Sequence, residues 1–311
     1  MKNNQGFLYE LKKHRALYIL MFPGLLLMFI NNYIPMLGTV IAFKRITYGK
    51  NFFETYIKSP FVGLKNFEFF LKTNYALIIT RNTVLFNLAF IVIGLILAVT
   101  AAICLNEVLS KKLFKFYQSS MILPNMLSWV IISLIVYSFI ADKGFINSLL
   151  TSFGGKESIQ FYNETKYWPF IIIAVQAWYF LGTSAVIYLS TITGINPELY
   201  ESAVMDGANK WQQVWAITIP MLRSTMIFMV MVSLGNLFVG NFGLFYNVPR
   251  ESGLLFDVTN VIDTYVYRSL IQTGDIEMAA AASFYQSVVG FVIVLVSNSI
   301  IRLVSKEDAV F

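Results

Sequence analysis

The chain has 311 residues, of which 57% are hydrophobic and 13% are charged, and it carries a formal net charge of +6. Roughly a quarter of the residues in a soluble globular protein are charged. This composition, with a mean hydropathy of +0.65, therefore excludes that class and indicates an integral membrane protein. The only histidine and the only cysteine, His14 and Cys104, cannot build a disulfide framework or a Cys/His metal site, so we expect both to be structural.

Six runs of the sequence lack Asp, Glu, Lys and Arg altogether, and the shortest of them has 24 residues. As a helix, that run extends about 36 Å, which is enough to cross a hydrocarbon core of about 30 Å. The sequence therefore predicts an all-α membrane protein with six transmembrane helices and both termini on one side. The first run is too long for a signal-peptide core, and we expect it to be retained. The predicted spans are residues 16–43, 82–106, 116–141, 167–197, 224–249 and 278–301.

The Lys and Arg residues are divided almost equally between the two sides of the membrane in the predicted topology. With the amino terminus inside, 11 of the 23 Lys and Arg residues lie on the inner side, and seven of the remainder lie in residues 44–81. Lys12, Lys13 and Arg15 adjoin the first span, and the short loop 107–115 is also basic. Because basic residues in short loops favour the cytoplasmic side, we predict a cytoplasmic amino terminus.

The predicted spans contain no ionisable side chain near their centres, where proton-coupled carriers and pumps need one. They contain neutral polar and aromatic groups instead, which suit the passage of a neutral, hydroxyl-rich solute such as a sugar. The same groups also join membrane helices to one another, and for any single residue that interpretation stays open. The candidate pathway residues are Asn125, Gln176, Trp178, Tyr179, Asn236, Asn241 and Tyr246.

Neither an energy source nor a catalytic group is evident in the sequence. No GxxxxGK[ST] phosphate-binding loop occurs, and no pair of carboxylates is placed as a membrane glycosidase would need. We therefore expect that the chain is not an enzyme and binds no cofactor itself. If transport is driven, a partner must drive it.

A polar insert between the fourth and fifth runs predicts a short capped helix. Asn196 is a good N-cap, and Pro197 suits the first helical position. Gly207 suits the left-handed position that follows the last helical turn. The pattern therefore predicts a helix over residues 197–206.

A second short helix is predicted directly after the first. Asn209 is followed three residues later by Gln212, which predicts a capping box. Pro220 has no amide proton and is expected to break or kink the chain as it enters the fifth span.

The same insert carries three short motifs: Glu201-Ser202-Ala203, Asp206-Gly207-Ala208 and Ile217-Thr218-Ile219-Pro220. Together they resemble the EAA motif of permease subunits of binding-protein-dependent ABC importers, with Ser202 in place of Ala and Ile219 in place of Leu. In that family the motif forms a cytoplasmic coupling helix that docks on the ATP-binding subunit. An interfacial helix that only lies on the bilayer is the alternative. The residues to which the resemblance assigns coupling are Glu201, Ala203, Asp206, Gly207, Ala208, Ile219 and Pro220.

The resemblance extends over nearly the whole chain. Residues 18–43, 61–67, 82–83 and 257–268 are similar to carbohydrate permeases of the MalF/UgpA type, and among them to the LplB-like group associated with complex oligosaccharides. This implies the type I (MetI-like) permease fold. The implied domains are a first span with an external segment over residues 1–81, a five-helix core over 82–305 that includes the coupling region 196–220, and a cytoplasmic tail over 306–311.

The resemblance also implies the partners. It predicts a second, non-identical permease, two ATP-binding subunits that use ATP and Mg, an extracellular solute-binding (lipo)protein and an oligosaccharide substrate, with no nucleic acid. The expected location is the bacterial cytoplasmic membrane, with both termini in the cytoplasm. An ABC permease for another solute class and a self-sufficient secondary carrier are the alternatives.

Two charged segments are predicted on the external side. Residues 44–81 carry a net charge of +5, and residues 250–277 carry a net charge of −3. They either face the solute-binding protein or form solvated loops.

Overall fold

The structure is a computed structural model that describes residues 13–47, 49, 51–153 and 158–304. Six helical segments in the described part are long and apolar enough to cross a membrane. We call them spans 1 to 6. They are Arg15–Phe43, Asn74–Asn106, Trp129–Ser152, Thr165–Thr193, Lys210–Gly235 and Ile276–Ser299.

Shorter helices connect the spans, and the only β-bridge in the described residues joins Lys44 to Phe61. Span 3 consists of two helices, Trp129–Ile140 and Phe145–Ser152, and the helix that begins span 6 runs from Ile276 to Val304. The connecting helices are Phe52–Lys58, Lys65–Lys72, Lys111–Ile122, Leu123–Met126, Pro197–Met205, Phe242–Asn247, Gly253–Leu255, Phe256–Thr259 and Ile262–Ile271.

The third predicted span, 116–141, is divided in the structure. One helix ends at Ile122, a 3₁₀ turn spans Leu123–Met126, and a new helix begins at Trp129. Pro124 lies in the turn because it cannot donate the amide hydrogen bond that a continuing α-helix needs. Ser128 then caps the new helix by accepting a hydrogen bond from the Ile131 amide at 3.4 Å.

The fifth predicted span, 224–249, is displaced towards the amino terminus. Span 5 begins at Lys210 and ends at Gly235, and Pro220 does not break it. A π-helical segment, Val214–Thr218, directly precedes the helical turn that contains the proline. Such a segment inserts an extra residue into the helix, so the proline ring is accommodated without loss of the helix.

The second span begins earlier than the charge-free run, at Asn74 instead of residue 82. Arg81 continues the helix without interruption because arginine is a good helix former. The domain boundary predicted at 81/82 therefore falls inside a continuous helix. Residues 1–12 and the predicted tail 306–311 lie outside the described residues.

Close contacts between spans 2 and 4 and their neighbours build the core. Gly182 of span 4 lies directly against the backbone of Met121, where an added Cβ would come within 2.1 Å of the carbonyl oxygen. Small residues at such positions let membrane helices approach closely. One core cluster contains Phe86, Ile132, Val136, Ile172, Val175 and Phe245, and a second contains Ala98, Ala102, Leu105, Tyr188, Leu189, Ile192 and Leu222.

Among the described residues, span 1 packs on the other elements near its carboxyl end. Every residue over 15–37 is exposed, whereas Ala42 is buried and Phe43 packs on Phe67 and Phe284. An apolar helix of this length needs lipid or another protein around it.

The acidic segment 250–277 is largely engaged in internal contacts. Glu251 pairs with Arg268 at 3.0 Å, and Glu277 accepts a hydrogen bond from the Ile46 amide at 2.6 Å. Asp275 caps the start of the helix of span 6, and Asp263 accepts from the Gly240 amide. Four of the five acidic residues therefore hold the fold together. The fifth, Asp257, is exposed.

Candidate functional site: a neutral cavity and a capped loop helix

The first candidate site is a cavity of about 620 Å³ among spans 2, 4 and 5 and the start of span 3. It lies beside a break in helical structure at residues 236–241, which follows the end of span 5. Irregular backbone at membrane depth is tolerated where it lines a cavity or is buried in protein. None of the described residues that line the cavity is Asp, Glu, Lys, Arg or His.

Five of the seven pathway residues predicted from the sequence line this cavity: Asn125, Gln176, Tyr179, Asn236 and Asn241. The other two predicted pathway residues do not. The Trp178 side chain is 42% exposed on span 4 and does not reach the cavity. Tyr246 packs between the rings of Phe242 and Tyr267, so its ring contributes to an aromatic cluster instead.

Several cavity residues were missed in the sequence. Asn87 and Phe90 come from span 2, Trp129 begins span 3, and Ser184 and Ser233 come from spans 4 and 5. A polar residue inside an apolar run is the signal for Asn87, Ser184 and Ser233. That signal does not tell a cavity-facing side chain from one that bonds to its own helix.

Aromatic rings and hydrogen bonds fix one wall of the cavity. The rings of Trp129 and Tyr179 stack with their centroids 4.1 Å apart. The Tyr179 hydroxyl lies within hydrogen-bonding distance of the carbonyl oxygens of Asn125, at 3.2 Å, and Leu127, at 3.3 Å. These contacts tie span 4 to the turn before span 3 and keep the two rings in a fixed position.

A second wall is organised by Asn241. Its Nδ2 donates to Gln176 Oε1 at 3.1 Å, and its Oδ1 accepts from the Leu244 amide at 3.2 Å. One side chain thereby caps the Phe242–Asn247 helix and joins the break to span 4.

Some polar groups in the cavity wall have no partner among the described residues. The side-chain amide of Asn125, the Gln176 Nε2 and the Ser184 hydroxyl make no hydrogen bond to any of them. All three residues are partly buried and line the cavity, so these groups are available to a polar solute or to water. Neutral donors and acceptors beside aromatic faces suit a ring that carries many hydroxyl groups.

The second candidate site is the helix Pro197–Met205, which we call the loop helix. Its first turn is capped as predicted, because Asn196 Oδ1 accepts from the Glu198 amide at 3.2 Å. At the other end the amide of Gly207 donates to Val204 O at 3.0 Å, and the amide of Ala208 donates to Ala203 O at 2.9 Å. These two bonds form a Schellman motif, which places Gly207 at a left-handed φ of 79°.

The segment after the loop helix joins it to two spans. Asn209 and Gln212 form the predicted capping box at the start of span 5. Lys210 pairs with Glu107, at the carboxyl end of span 2, at 3.0 Å. The hydroxyls of Tyr200 and Thr218 are 2.9 Å apart and join the loop helix to span 5. The loop helix is therefore bonded to span 5, and span 5 is bonded through Lys210 to the end of span 2; both spans line the cavity.

The predicted coupling residues divide between two faces of this segment. Glu201, Asp206 and Gly207 are exposed, next to the side chain of Met205, which is 86% exposed. The remaining predicted coupling residues lie closer to the body or at the start of span 5: Ala203, Ala208 and Ile219 are partly buried, and Pro220 is exposed. An acidic group beside exposed apolar side chains is a surface suited to a protein partner.

We expect Gly207→Val to weaken the turn after the loop helix. Nothing lies within 4 Å of an added Cβ, so the cost is that of the left-handed backbone alone, about 1–2 kcal/mol. The measurement is the fraction of purified protein that stays folded after a series of heating steps, together with uptake. Gly253→Val is the control, because Gly253 has the same open surroundings without a positive φ. Equal heat resistance of the two variants would contradict the role of Gly207 in the turn.

The fold and the two sites define a class: a six-span membrane permease with a neutral cavity and a loop helix linked to it. The family model described as "Binding-protein-dependent transport system inner membrane component" matches residues 73–307. The chain belongs to this family, which confirms the predicted all-α, type I (MetI-like) permease fold and the predicted ABC-importer family.

Individual relatives agree with this assignment. The chain is 32% identical to the polygalacturonan/rhamnogalacturonan transport system permease protein YteP of Bacillus subtilis strain 168, over 98% of this chain and 94% of YteP. It is 30% identical to Protein LplB of the same strain, over 96% of this chain and 92% of LplB. A chain in the crystal structure of a bacterial ABC transporter involved in the import of the acidic polysaccharide alginate superposes with a TM-score of 0.85. That match has 28% identity and covers 95% of this chain and 98% of that chain.

Proposed function

We propose that the chain is a permease subunit that moves an oligosaccharide across the membrane in an ATP-driven importer. The observation that carries this proposal is the neutral cavity beside the helix break, where unpaired amides and a hydroxyl lie next to stacked aromatic rings. The relatives named for polygalacturonan/rhamnogalacturonan and arabinooligosaccharide transport support a saccharide substrate.

The substrate class follows from the chemistry of the cavity wall. The alginate transporter is described as importing an acidic polysaccharide, yet the described residues that line this cavity include no cation. This chain therefore contributes contacts to sugar hydroxyls and ring faces. If the sugar is acidic, its charge is balanced by another subunit.

The partners follow from the two exposed surfaces. A second permease covers part of span 1, whose residues 15–37 are exposed in this chain. Two ATP-binding subunits, which use ATP and Mg, dock on the two permeases, and this chain offers them its loop helix. An extracellular solute-binding protein delivers the sugar, as in the alginate transporter structure solved in complex with a pentasaccharide-bound periplasmic protein. In a single-membrane bacterium that protein is a lipoprotein.

The orientation follows from the same assignment. The loop helix must face the ATP-binding subunits and therefore the cytoplasm, and six spans then put both termini in the cytoplasm. The chain is not an enzyme, because its family is one of transport permeases, and ATP hydrolysis belongs to the separate subunits.

The mechanism uses the bonds around the loop helix. ATP binding closes the two ATP-binding subunits and pulls on the loop helix. The Tyr200–Thr218 contact carries the movement to span 5, and the Lys210–Glu107 pair carries it to span 2. Because both spans line the cavity, the pathway changes from inward-facing to outward-facing, and hydrolysis resets it.

The test is to purify the chain with a tag at its amino terminus under gentle solubilisation, identify the copurifying proteins by mass spectrometry, and measure uptake in liposomes. We expect an ATPase with a GxxxxGK[ST] loop, a second six-span permease, and oligosaccharide uptake that needs both ATP and the binding protein. A chain that purifies alone and moves solute without ATP would contradict the proposal. Uptake of a solute other than a saccharide would contradict only the substrate.

A further inference from the structure

The break at residues 236–241 is held by side chains from three other elements. Asn87 of span 2 donates from Nδ2 to Leu237 O at 2.8 Å and to Val239 O at 3.1 Å. Gln286 of span 6 donates to Phe238 O at 2.8 Å. Asp263 of the Ile262–Ile271 helix accepts from the Gly240 amide. Four successive backbone groups outside regular helix are thereby satisfied by three side chains.

Asp263 occupies the centre of this arrangement. Its Oδ2 accepts from the Gly240 amide and from Gln286 Nε2, the latter at 3.1 Å. A side chain at position 240 has no room, because an added Cβ would lie 2.6 Å from that same oxygen. Burial raises the pKa of the Asp263 carboxyl, and the hydrogen bonds from Gly240 and Gln286 oppose that change. A partly buried carboxylate is costly unless it is hydrogen-bonded, so its presence here needs an explanation.

Residues of the break form much of the polar wall of the cavity. Asn236, Val239, Gly240 and Asn241 all line the cavity. Asn241 follows directly on the residue that Asp263 holds, and it bonds to Gln176 in the cavity wall. A shift of the Gly240 amide therefore moves a side chain that lines the cavity.

The Ile262–Ile271 helix is itself firmly anchored at both ends. Its first amide, at Ile262, donates to Thr83 Oγ1 of span 2 at 3.1 Å. Near its last turn, Arg268 pairs with Glu251 and lies over the ring of Phe256 at 4.2 Å. The helix therefore holds Asp263 in a fixed position, and a displacement of the whole helix would displace the carboxylate as well.

We propose that Asp263 is a positioning residue that fixes the break at 236–241 in the shape in which it lines the solute cavity. The role rests on the proposed function, since it concerns the same cavity. Among the described hydrogen bonds, the Asp263 carboxylate is the only link from the Ile262–Ile271 helix to Gly240. Contact of a partner with that helix would therefore change the cavity wall through this carboxylate.

The experiment measures the shape of the break in native membranes that contain the full chain. Val239 is 49% exposed and lines the cavity, so Val239→Cys in a Cys104→Ser background reports the shape of the break. The rate of its reaction with a small water-soluble methanethiosulfonate is compared among three backgrounds. They are Asp263→Ala, Asp263→Asn, and Asp257→Ala as the matched control, an exposed acid of the same segment.

We expect Asp263→Ala to change the reaction rate at position 239 by roughly tenfold, since it removes the acceptor of the Gly240 amide. Asp263→Asn keeps an oxygen in the same place and should stay within about twofold of the parent, as should Asp257→Ala. Apparent KM for the sugar should change with Asp263→Ala and return with Asp263→Asn, whereas a loss of folded protein would change only the maximal rate.

An unchanged reaction rate in Asp263→Ala would overturn the proposal. If that variant does not reach the membrane, Gly240→Ala decides the question, because the added Cβ would lie 2.6 Å from Asp263 Oδ2 and would push the carboxylate away from the amide of residue 240. A several-fold change of rate in Gly240→Ala would support the role of the Asp263–Gly240 bond, and no change would overturn it. Failure of the proposed function would be seen separately, as absence of ATP-dependent uptake by the parent chain, and would leave the reaction rates interpretable.

Discussion

Glu201→Lys is expected to abolish uptake while the protein still folds and inserts. Glu201 is exposed on the loop helix and forms no ion pair with any described residue, so the substitution breaks no ion pair among them. Lysine is also as good a helix former as glutamate. At the proposed interface with the ATP-binding subunit, reversal of a buried charge costs about 2–5 kcal/mol. At about 1.4 kcal/mol per factor of ten, uptake should fall roughly 30-fold or more. The measurements are ATP-dependent uptake and the amount of ATPase that copurifies.

The matched control is Asp142→Lys. Asp142 is exposed in the turn that divides the two helices of span 3, and it likewise forms no ion pair with the described residues. The two variants thus carry the same change in net charge. Uptake close to the parent level in Glu201→Lys would contradict the proposed coupling role of the loop helix. An equal loss in both variants would show that the effect comes from charge alone.

The loop helix was predictable in detail because its signals are local. Asn196, Gly207 and Asn209 each act on backbone groups within five residues of themselves. Caps of this kind depend on residue types that favour a particular side-chain hydrogen bond or backbone angle, and those residue types can be read from the sequence. What the exposed face of the helix binds is not local, and the coupling roles of Glu201 and Asp206 therefore stay predictions.

The ends of the spans were harder to predict because a charge-free run records composition and not hydrogen bonding. Run 116–141 contains Pro124, and run 224–249 contains Gly240 next to Asn241. Pro124 lies in the turn that follows the helix ending at Ile122, and Gly240 and Asn241 lie in the break that follows the end of span 5 at Gly235. A run of apolar residues continues through such a break, since the carbonyl groups are satisfied by side chains such as Asn87 and Gln286 from distant parts of the chain.

Which residues line the cavity depends on tertiary packing. Trp178 and Tyr179 are neighbours in the sequence, but only Tyr179 lines the cavity, because successive residues of a helix point about 100° apart. Asn87 and Ser184 are likewise polar residues within apolar runs, and residue type alone does not show that they face the cavity. The residue type showed that a polar wall exists, and the packing of four spans decided which side chains form it.

Ser184→Trp is expected to block the pathway. Ser184 lies on the cavity wall, and its hydroxyl has no partner among the described residues, so the serine can be replaced without loss of an internal bond. The indole would then fill space in a cavity of about 620 Å³ that a sugar ring must enter. A steric clash that costs a bound sugar about 1.4 kcal/mol already weakens binding tenfold, so uptake should fall roughly tenfold or more. The measurement is ATP-dependent uptake at several sugar concentrations.

Two controls separate blockage from misfolding. Ser184→Ala removes the hydroxyl without adding bulk and should cost at most about tenfold, the loss of one hydrogen bond to the solute. Ser138→Trp places the same indole on an exposed face of span 3, away from the cavity. Because the block acts on the solute and not on the loop helix, ATPase copurification should be unchanged in Ser184→Trp even though uptake is lost. Uptake by Ser184→Trp equal to that of Ser138→Trp would show that the sugar does not pass through this cavity, and the neutral wall would then need another explanation.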